Sequence, residues 1–211
     1  MNSQDLKSSN ESNSLRLPRE FYQTDAVTLA QALIGKTLMS KTAEGTTGGI
    51  IVEAEAYMGH IDAAAHSFRA SPNGRTSVMY GEGGYAYIYL IYGMHNCFNI
   101  TANTPDKPEA VLIRALEPTV GIELMQKRRN MQTLKPLCNG PGKLCAAMGL
   151  SRVQYGASLC GDDEHGIWLE DTAMPAFTIE ESKRINIDYA GAAKEYLWRF
   201  TMRGNGFLSR K

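Results

Sequence analysis

Residues 84–101, GYAYIYLIYGMHNCFNIT, place aromatic and branched apolar side chains on both sides of a Tyr-Gly corner, a pattern that predicts a β-hairpin. In a strand alternate residues share a face, so Tyr85, Tyr87 and Tyr89 line up, while Tyr92 falls out of phase at the tip beside Gly93. Just upstream, VEAEAY at 52–57 carries two carboxylates. Aromatic surfaces next to an acid suit a site that stacks a flat ring and cleaves a bond beside it.

The rest of the chain supplies more antiparallel neighbours. Strands over 36–40 and 50–57 flank a Gly/Thr turn at 44–49 and predict another hairpin. Within the second strand Ile51, Glu53, Glu55 and Tyr57 fall on one face, and Val52, Ala54 and Ala56 on the other. Asp25 caps a helix over 26–34 that Gly35 ends. The weakly periodic 58–84 reads as a loop draped over a site. Strands over 85–91, 97–103 and 110–116 precede a helix over 120–130, and NGPGKLCAAMG starts a further helix with Pro141 in its first turn and Gly149 as its stop. EYLWRFTMRGNGFLSRK closes the chain as a strand. This order predicts an α+β fold, and 211 residues suffice for one sizeable core. Residues 1–15, polar and rich in Ser and Asn, read as a disordered tail before a domain over 16–211.

Composition narrows the function. No segment is long and apolar enough to span a bilayer, and no secretion signal opens the chain. Cys97, Cys138, Cys145 and Cys160 lack metal-ligand spacing and read as reduced, packed thiols of an intracellular protein. The four histidines are scattered, so neither metal nor other cofactor is expected. Formal net charge is zero, yet Lys127, Arg128, Arg129, Lys135, Lys143 and Arg152 fall in a stretch without acids. From Lys183 to Lys211 seven basic residues face only Asp188 and Glu195, and Arg199, Arg203 and Arg210 are spaced to follow a nucleic-acid backbone. Lys143, in the first turn of its helix, sits where backbone N–H groups plus an ammonium make a phosphate seat.

Displacing a leaving group from a sugar carbon needs a base to deprotonate water and an anion to stabilise the developing cation. One glutamate can do both. A pair can instead serve as acid and base, and Glu53 and Glu55, about 6.5 to 7 Å apart by strand rise, leave that choice open. Tyr92, at a hairpin tip, suits a wedge that enters a DNA stack when a nucleotide has swung out.

VEAEAYMGHIDAAAHS, MYGEGGYAYIYLIYGMHNCFNI, VLIRALEP and NGPGKLC, in that order, resemble the signature segments of the alkyladenine (3-methyladenine, methylpurine-type) DNA glycosylase family, and the resemblance extends from about residue 16 to 210. It implies a single mixed domain with a curved antiparallel sheet, surrounding helices and a protruding hairpin that intercalates into DNA. By the same resemblance Glu55 is the general base that activates water, and Arg114 lies close to that water and the scissile nucleotide. Tyr57 and His66 are matched to residues that sandwich the extruded base, with Tyr89 on its other side. Asn99 crowds the 2-amino group of guanine, Tyr92 is the wedge, and Met79 packs near it. Glu53 has no catalytic counterpart and is expected as support. The implied activity is base-excision repair: a monofunctional enzyme flips an alkylated or deaminated purine from double-stranded DNA and hydrolyses its N-glycosidic bond to leave an abasic site. A monomer located with the DNA, in the bacterial cytoplasm or the eukaryotic nucleus, is expected.

Two other classes compete. A hydrolase of free purine nucleosides would use the same pocket but needs neither Tyr92 nor a basic face, and a noncatalytic damage-binding protein would not need Glu55.

Overall fold

The computed structural model describes residues 16–160 and 166–210. The predicted tail over 1–15 and the acids Asp162, Asp163 and Glu164 lie outside the described residues. Among the described residues eight strands form one antiparallel sheet: β1 (Thr37–Thr42), β2 (Gly45–Tyr57), β3 (Ala86–Ile91), β4 (His95–Ala102), β5 (Glu109–Val120), β6 (Ile167–Glu170), β7 (Ile179–Ser182) and β8 (Arg199–Met202). The main path runs β3-β4-β5-β2-β1-β6, with β8 joining β2 to β7. The α-helices are α1 (Ala26–Leu33), α2 (Ile122–Arg129) and α3 (Pro141–Met148). This is the expected mixed domain, its sheet curled into a half-barrel.

β2 is the hub because its 13 residues outrun its neighbours. Residues 48–57 pair with β5 along one edge, while 45–50 pair with β1 and 53–55 with β8 along the other. The predicted turn at 44–49 shrinks to Ala43 and Glu44 because the Gly/Thr run continues the ladder. Glycine is required there: a Cβ on Gly49 would lie 2.8 Å from the carbonyl oxygen of Glu117 in β5. β5 likewise runs past its predicted end, through Pro118. That is tolerable because β4 pairs only with 109–112, so at Pro118 the ladder partner is β2 alone.

Three register shifts interrupt the pairing of β2 and β5, one at Gly48/Gly49 and two beside Glu53. Ile51 faces Leu116, Glu53 faces Ala115 and Ala54 faces Ile113, which leaves Val52 and then Arg114 as extra residues. The bulge at Val52 breaks the predicted alternation, so Ile51 packs in the main core with Val52, Ala54 and Ala56 instead of sharing the carboxylates' face.

The other elements form for local reasons. Asp25 Oδ1 accepts from Val27 N and Thr28 N at 3.0 Å each, as an N-cap should. Glu109 Oε2 accepts from Ala26 N at 2.8 Å, tying the start of α1 to β5. Leu29, Ala30 and Leu33 of α1 and Leu144, Ala147 and Met148 of α3 bury against the sheet's Phe98, Ile100 and Phe200. Each large side chain so buried contributes roughly 1.5–3 kcal/mol. All four cysteines are free. Among the described residues no helix is long and apolar enough to cross a membrane.

Several cations of the predicted basic stretches are spent on acids. Lys127 and Arg128 reach Glu44, Lys183 reaches Glu195, and Arg203 reaches Glu180. Arg199 does not follow a nucleic-acid backbone as its spacing suggested. It is buried and its Nε donates to Glu53 Oε1 at 2.8 Å, because β8 pairs directly with the carboxylate segment of β2.

Candidate active site

Glu53 and Glu55 both point from β2 to the face opposite the main core and are fully buried. Glu53 is boxed in: Arg114 Nε (3.0 Å), Arg199 Nε (2.8 Å) and Ser209 Oγ (2.7 Å) donate to its Oε1, and Ser209 N (2.6 Å) to its Oε2. Burial alone would raise its carboxyl, but the donors from Arg199 and Ser209 outweigh that and hold it below the usual glutamate range. With four donors on it, three of them on Oε1, Glu53 is fixed in place.

Glu55 is held differently. Its Oε2 accepts from Tyr57 Oη (2.9 Å) and Arg114 Nη1 (3.2 Å), and its Oε1 from the backbone N of Ile185 (2.7 Å). Arg114 reaches both glutamates because it is the bulged residue of β5, re-aimed at the carboxylates. Burial works against its charge, yet Glu55 and Glu53 together raise its affinity for the proton.

A pocket open to solvent is lined by Tyr57, Ala64, His66, Met79, Tyr87, Tyr89, Asn99, Ala110 and Tyr189, and Glu55 meets its wall through the Tyr57 hydroxyl. Five of the nine predicted site residues therefore meet in one cavity: Tyr57, His66, Met79, Tyr89 and Asn99. His66 packs edge-on against Tyr89. Its ring centroid lies 4.4 Å from that of Tyr89 at 70°, because its Nδ1 is hydrogen-bonded to Tyr87 Oη at 2.8 Å. Burial, with Arg75 nearby, lowers the imidazole to about 4, so His66 is neutral near pH 7. Burial also pushes Tyr87 up to about 12 and raises Tyr57 and Tyr89, so the wall phenols keep their protons. Asn99 Nδ2 donates to Tyr87 O (3.0 Å) and Cys97 O (3.4 Å), which locks its side chain across the β3–β4 pair. Met79, expected near the wedge, is 1% exposed in the pocket wall with Tyr87 and Ala110.

The β3–β4 hairpin ends in an exposed apolar tip, with Tyr92 78% and Met94 71% exposed. Tyr92 and Gly93 both adopt positive φ, 53° and 71°, the pair of left-handed conformers a tight primed turn requires, and Met94 N donates to Ile91 O at 3.2 Å. For tyrosine that conformation is strained. The first turn of α3 abuts this hairpin: a Cβ on Gly142 would lie 3.0 Å from His95 Cβ. Exposed Lys143 in that turn donates to Asn139 Oδ1 at 2.9 Å. On the pocket's other flank, Arg75 and Arg152 line a groove with Tyr89, Leu90 and Tyr155.

Sequence reasoning missed Ile185, whose contribution is a backbone amide 130 residues from Glu55 and carries no side-chain signal. It also missed Tyr189, on an irregular 3-10 segment over Asp188–Glu195 broken by Gly191. Among the described residues no three His, Cys, Asp or Glu side chains gather as a metal set.

The sequence profile of the family described as methylpurine-DNA glycosylase matches residues 20–206. A protein of Alkaliphilus oremlandii named "Putative 3-methyladenine DNA glycosylase" is 42% identical over 93% of this chain and 100% of its own length. A protein of the same name from Clostridium novyi is 45% identical over 93% of this chain and 99% of its own, and one from Bacillus cereus is 42% identical over 93% of this chain and its full length. The chain belongs to the methylpurine-DNA glycosylase family.

Proposed function

We propose that this protein is a DNA glycosylase that excises alkylated purines, 3-methyladenine among them, from duplex DNA by hydrolysing the N-glycosidic bond. The observation that carries the reading is Glu55, a fully buried carboxylate hydrogen-bonded to Tyr57 in the wall of a tyrosine-lined pocket. An ionised carboxylate has about four acceptor sites, and Tyr57, Arg114 and Ile185 occupy three, two of them on Oε2. Oε1 keeps one for the proton of an attacking water. As the bond to the purine stretches, positive charge develops on the sugar, and the same carboxylate stabilises it.

The rings supply selectivity. A purine flipped into the pocket stacks with Tyr57 on one side and His66 and Tyr89 on the other. Alkylation at a ring nitrogen makes the base cationic, and each tyrosine face contributes a cation–π attraction of about 0.5 to 2 kcal/mol. Neutral His66 adds no repulsion. Asn99, pinned by two backbone carbonyls, is a rigid block against the 2-amino group of guanine, whereas normal adenine is refused because its neutral form leaves poorly. Tyr92 fills the gap left in the stack, and Lys143, Arg75 and Arg152 meet phosphates on either side of the hairpin. No lysine lines the pocket to attack the sugar as an amine, so water-driven cleavage without strand nicking is expected.

The test is incubation of the protein with duplexes bearing 3-methyladenine, 7-methylguanine, hypoxanthine or ethenoadenine, and in parallel with free 3-methyladenosine. Release of free base from at least the first duplex, with alkali-labile sites and no nick before alkali, is the expected result. Cleavage of the free nucleoside alone would transfer the site to the nucleoside hydrolases.

A further inference from the structure

Behind the pocket lies a charged pair that no step of the proposed reaction uses. Arg184 and Asp62 have fully buried side chains. Arg184 Nη1 donates to Asp62 Oδ2 at 2.5 Å and Nη2 to Oδ1 at 2.8 Å, a forked pair. The same nitrogens donate to Ala56 O (2.8 Å) and Ala193 O (3.2 Å), and Asp62 in turn accepts from Met58 N (3.1 Å) and Ala64 N (3.0 Å). The guanidinium lies against the rings of Tyr57, at 4.8 Å, and Trp198, at 5.0 Å.

Such a pair is a poor source of stability, because desolvating two charges offsets most of their attraction. Arg184 Nε adds to the cost, being buried without an acceptor. Nor does the pair sit in the main core. It lies at a separate small cluster of Ala64, Ile187, Ala190 and Ala193, with Tyr57 against it.

What the pair joins is more telling. Ala56 precedes Tyr57 on β2, and Asp62 begins the segment that delivers His66. Ala193 lies on the segment that brings Tyr189 to the pocket. Arg184 itself precedes Ile185, whose N–H holds Glu55 Oε1 at 2.7 Å. One guanidinium thus ties together three stretches of chain that carry pocket walls and a donor to the carboxylate. We infer that Arg184, paired with Asp62, is a positioning residue for the glycosylase reaction: it sets the Ile185 N–H on Glu55 and the Tyr57 ring in the pocket wall without touching the substrate. The inference rests on the reading of Glu55 as general base.

The experiment uses the full-length chain, with Arg184→Lys and the charge-neutral pair Asp62→Asn/Arg184→Gln, which leaves no buried charge alone. Thermal midpoint, Kd for a 3-methyladenine duplex and the single-turnover rate of base release are measured for each. With the pair removed, the rate is expected to fall on the order of a hundredfold, the cost of a misplacement near 1 Å, while Kd stays within about threefold. Arg184→Lys, which keeps the charge but loses the fork, is expected to fall between. A wild-type rate in the double variant overturns the inference, and so does a rate loss matched by an equal loss of DNA binding. If the double variant does not fold, Arg184→Lys decides alone: slower release at unchanged Kd supports the inference, and an unchanged rate overturns it. If the wild-type protein releases no base, the functional reading falls and takes this inference with it; an active wild type with equally active variants sinks the inference alone.

Discussion

At the scale of single residues, the site is organised by which polar atoms are already engaged. Glu53 takes four donors from two arginines and Ser209, whereas Glu55, two residues along the same strand, takes three. Both carboxylates were legible in VEAEAY, but their separate fates were not, because Arg199, Ser209 and Ile185 come from the distant end of the chain. His66 carries a testable consequence of its setting. Burial, aided by Arg75, lowers it from 6.5 to about 4. Between those values the unfolded chain takes up a proton that the folded protein refuses, so His66 makes stability fall as pH drops through about 6.5 to 4 and contributes nothing further below. An imidazole titration followed by NMR should show a His66 midpoint near 4, moving upward in Arg75→Ala; a midpoint near 6.5 contradicts the buried, neutral ring.

At the scale of elements, the hairpin and the helices were readable because their signals are local: Asp25 caps α1, Pro141 starts α3, and Tyr-Gly turns β3 into β4. What could not be read was set by neighbours. The Val52 bulge moves Ile51 into the core, and Arg114 owes its aim to a register shift across β5, neither of which period-two alternation reveals. β6 and β7, four residues each, are too short to announce themselves. The tip of the β3–β4 hairpin trades stability for a protruding ring. Tyr92 at φ 53° is strained where asparagine is at ease, so Tyr92→Asn is expected to stabilise the protein by about 1 kcal/mol, roughly 2–4 °C at this size. The same change should slow excision from duplex DNA at least tenfold by removing the wedge. Undiminished excision would remove Tyr92 from that part.

At the scale of the whole molecule, charge separates this protein from a strongly basic DNA binder. Net charge is zero, and Lys127, Arg128, Lys183, Arg184, Arg199 and Arg203 are engaged with acids. The face bearing the hairpin keeps exposed Arg75, Lys143 and Arg152. With about three phosphates neutralised, log K for duplex DNA should fall against log salt with a slope of about −3, and a slope near −10 would mean that a much larger cationic surface is in use. The sequence showed the segregation of charge but not its partners, since Glu44, Asp62 and Glu53 meet those cations only in the folded chain. The central claim is that buried Glu55 activates the water that releases the base. It is tested most directly by the single-turnover release of 3-methyladenine from duplex DNA by Glu55→Gln, with Kd measured on the same duplex. Release should fall by at least a thousandfold, about 4 kcal/mol in the barrier, with Kd nearly unchanged; release at the wild-type rate would contradict the account.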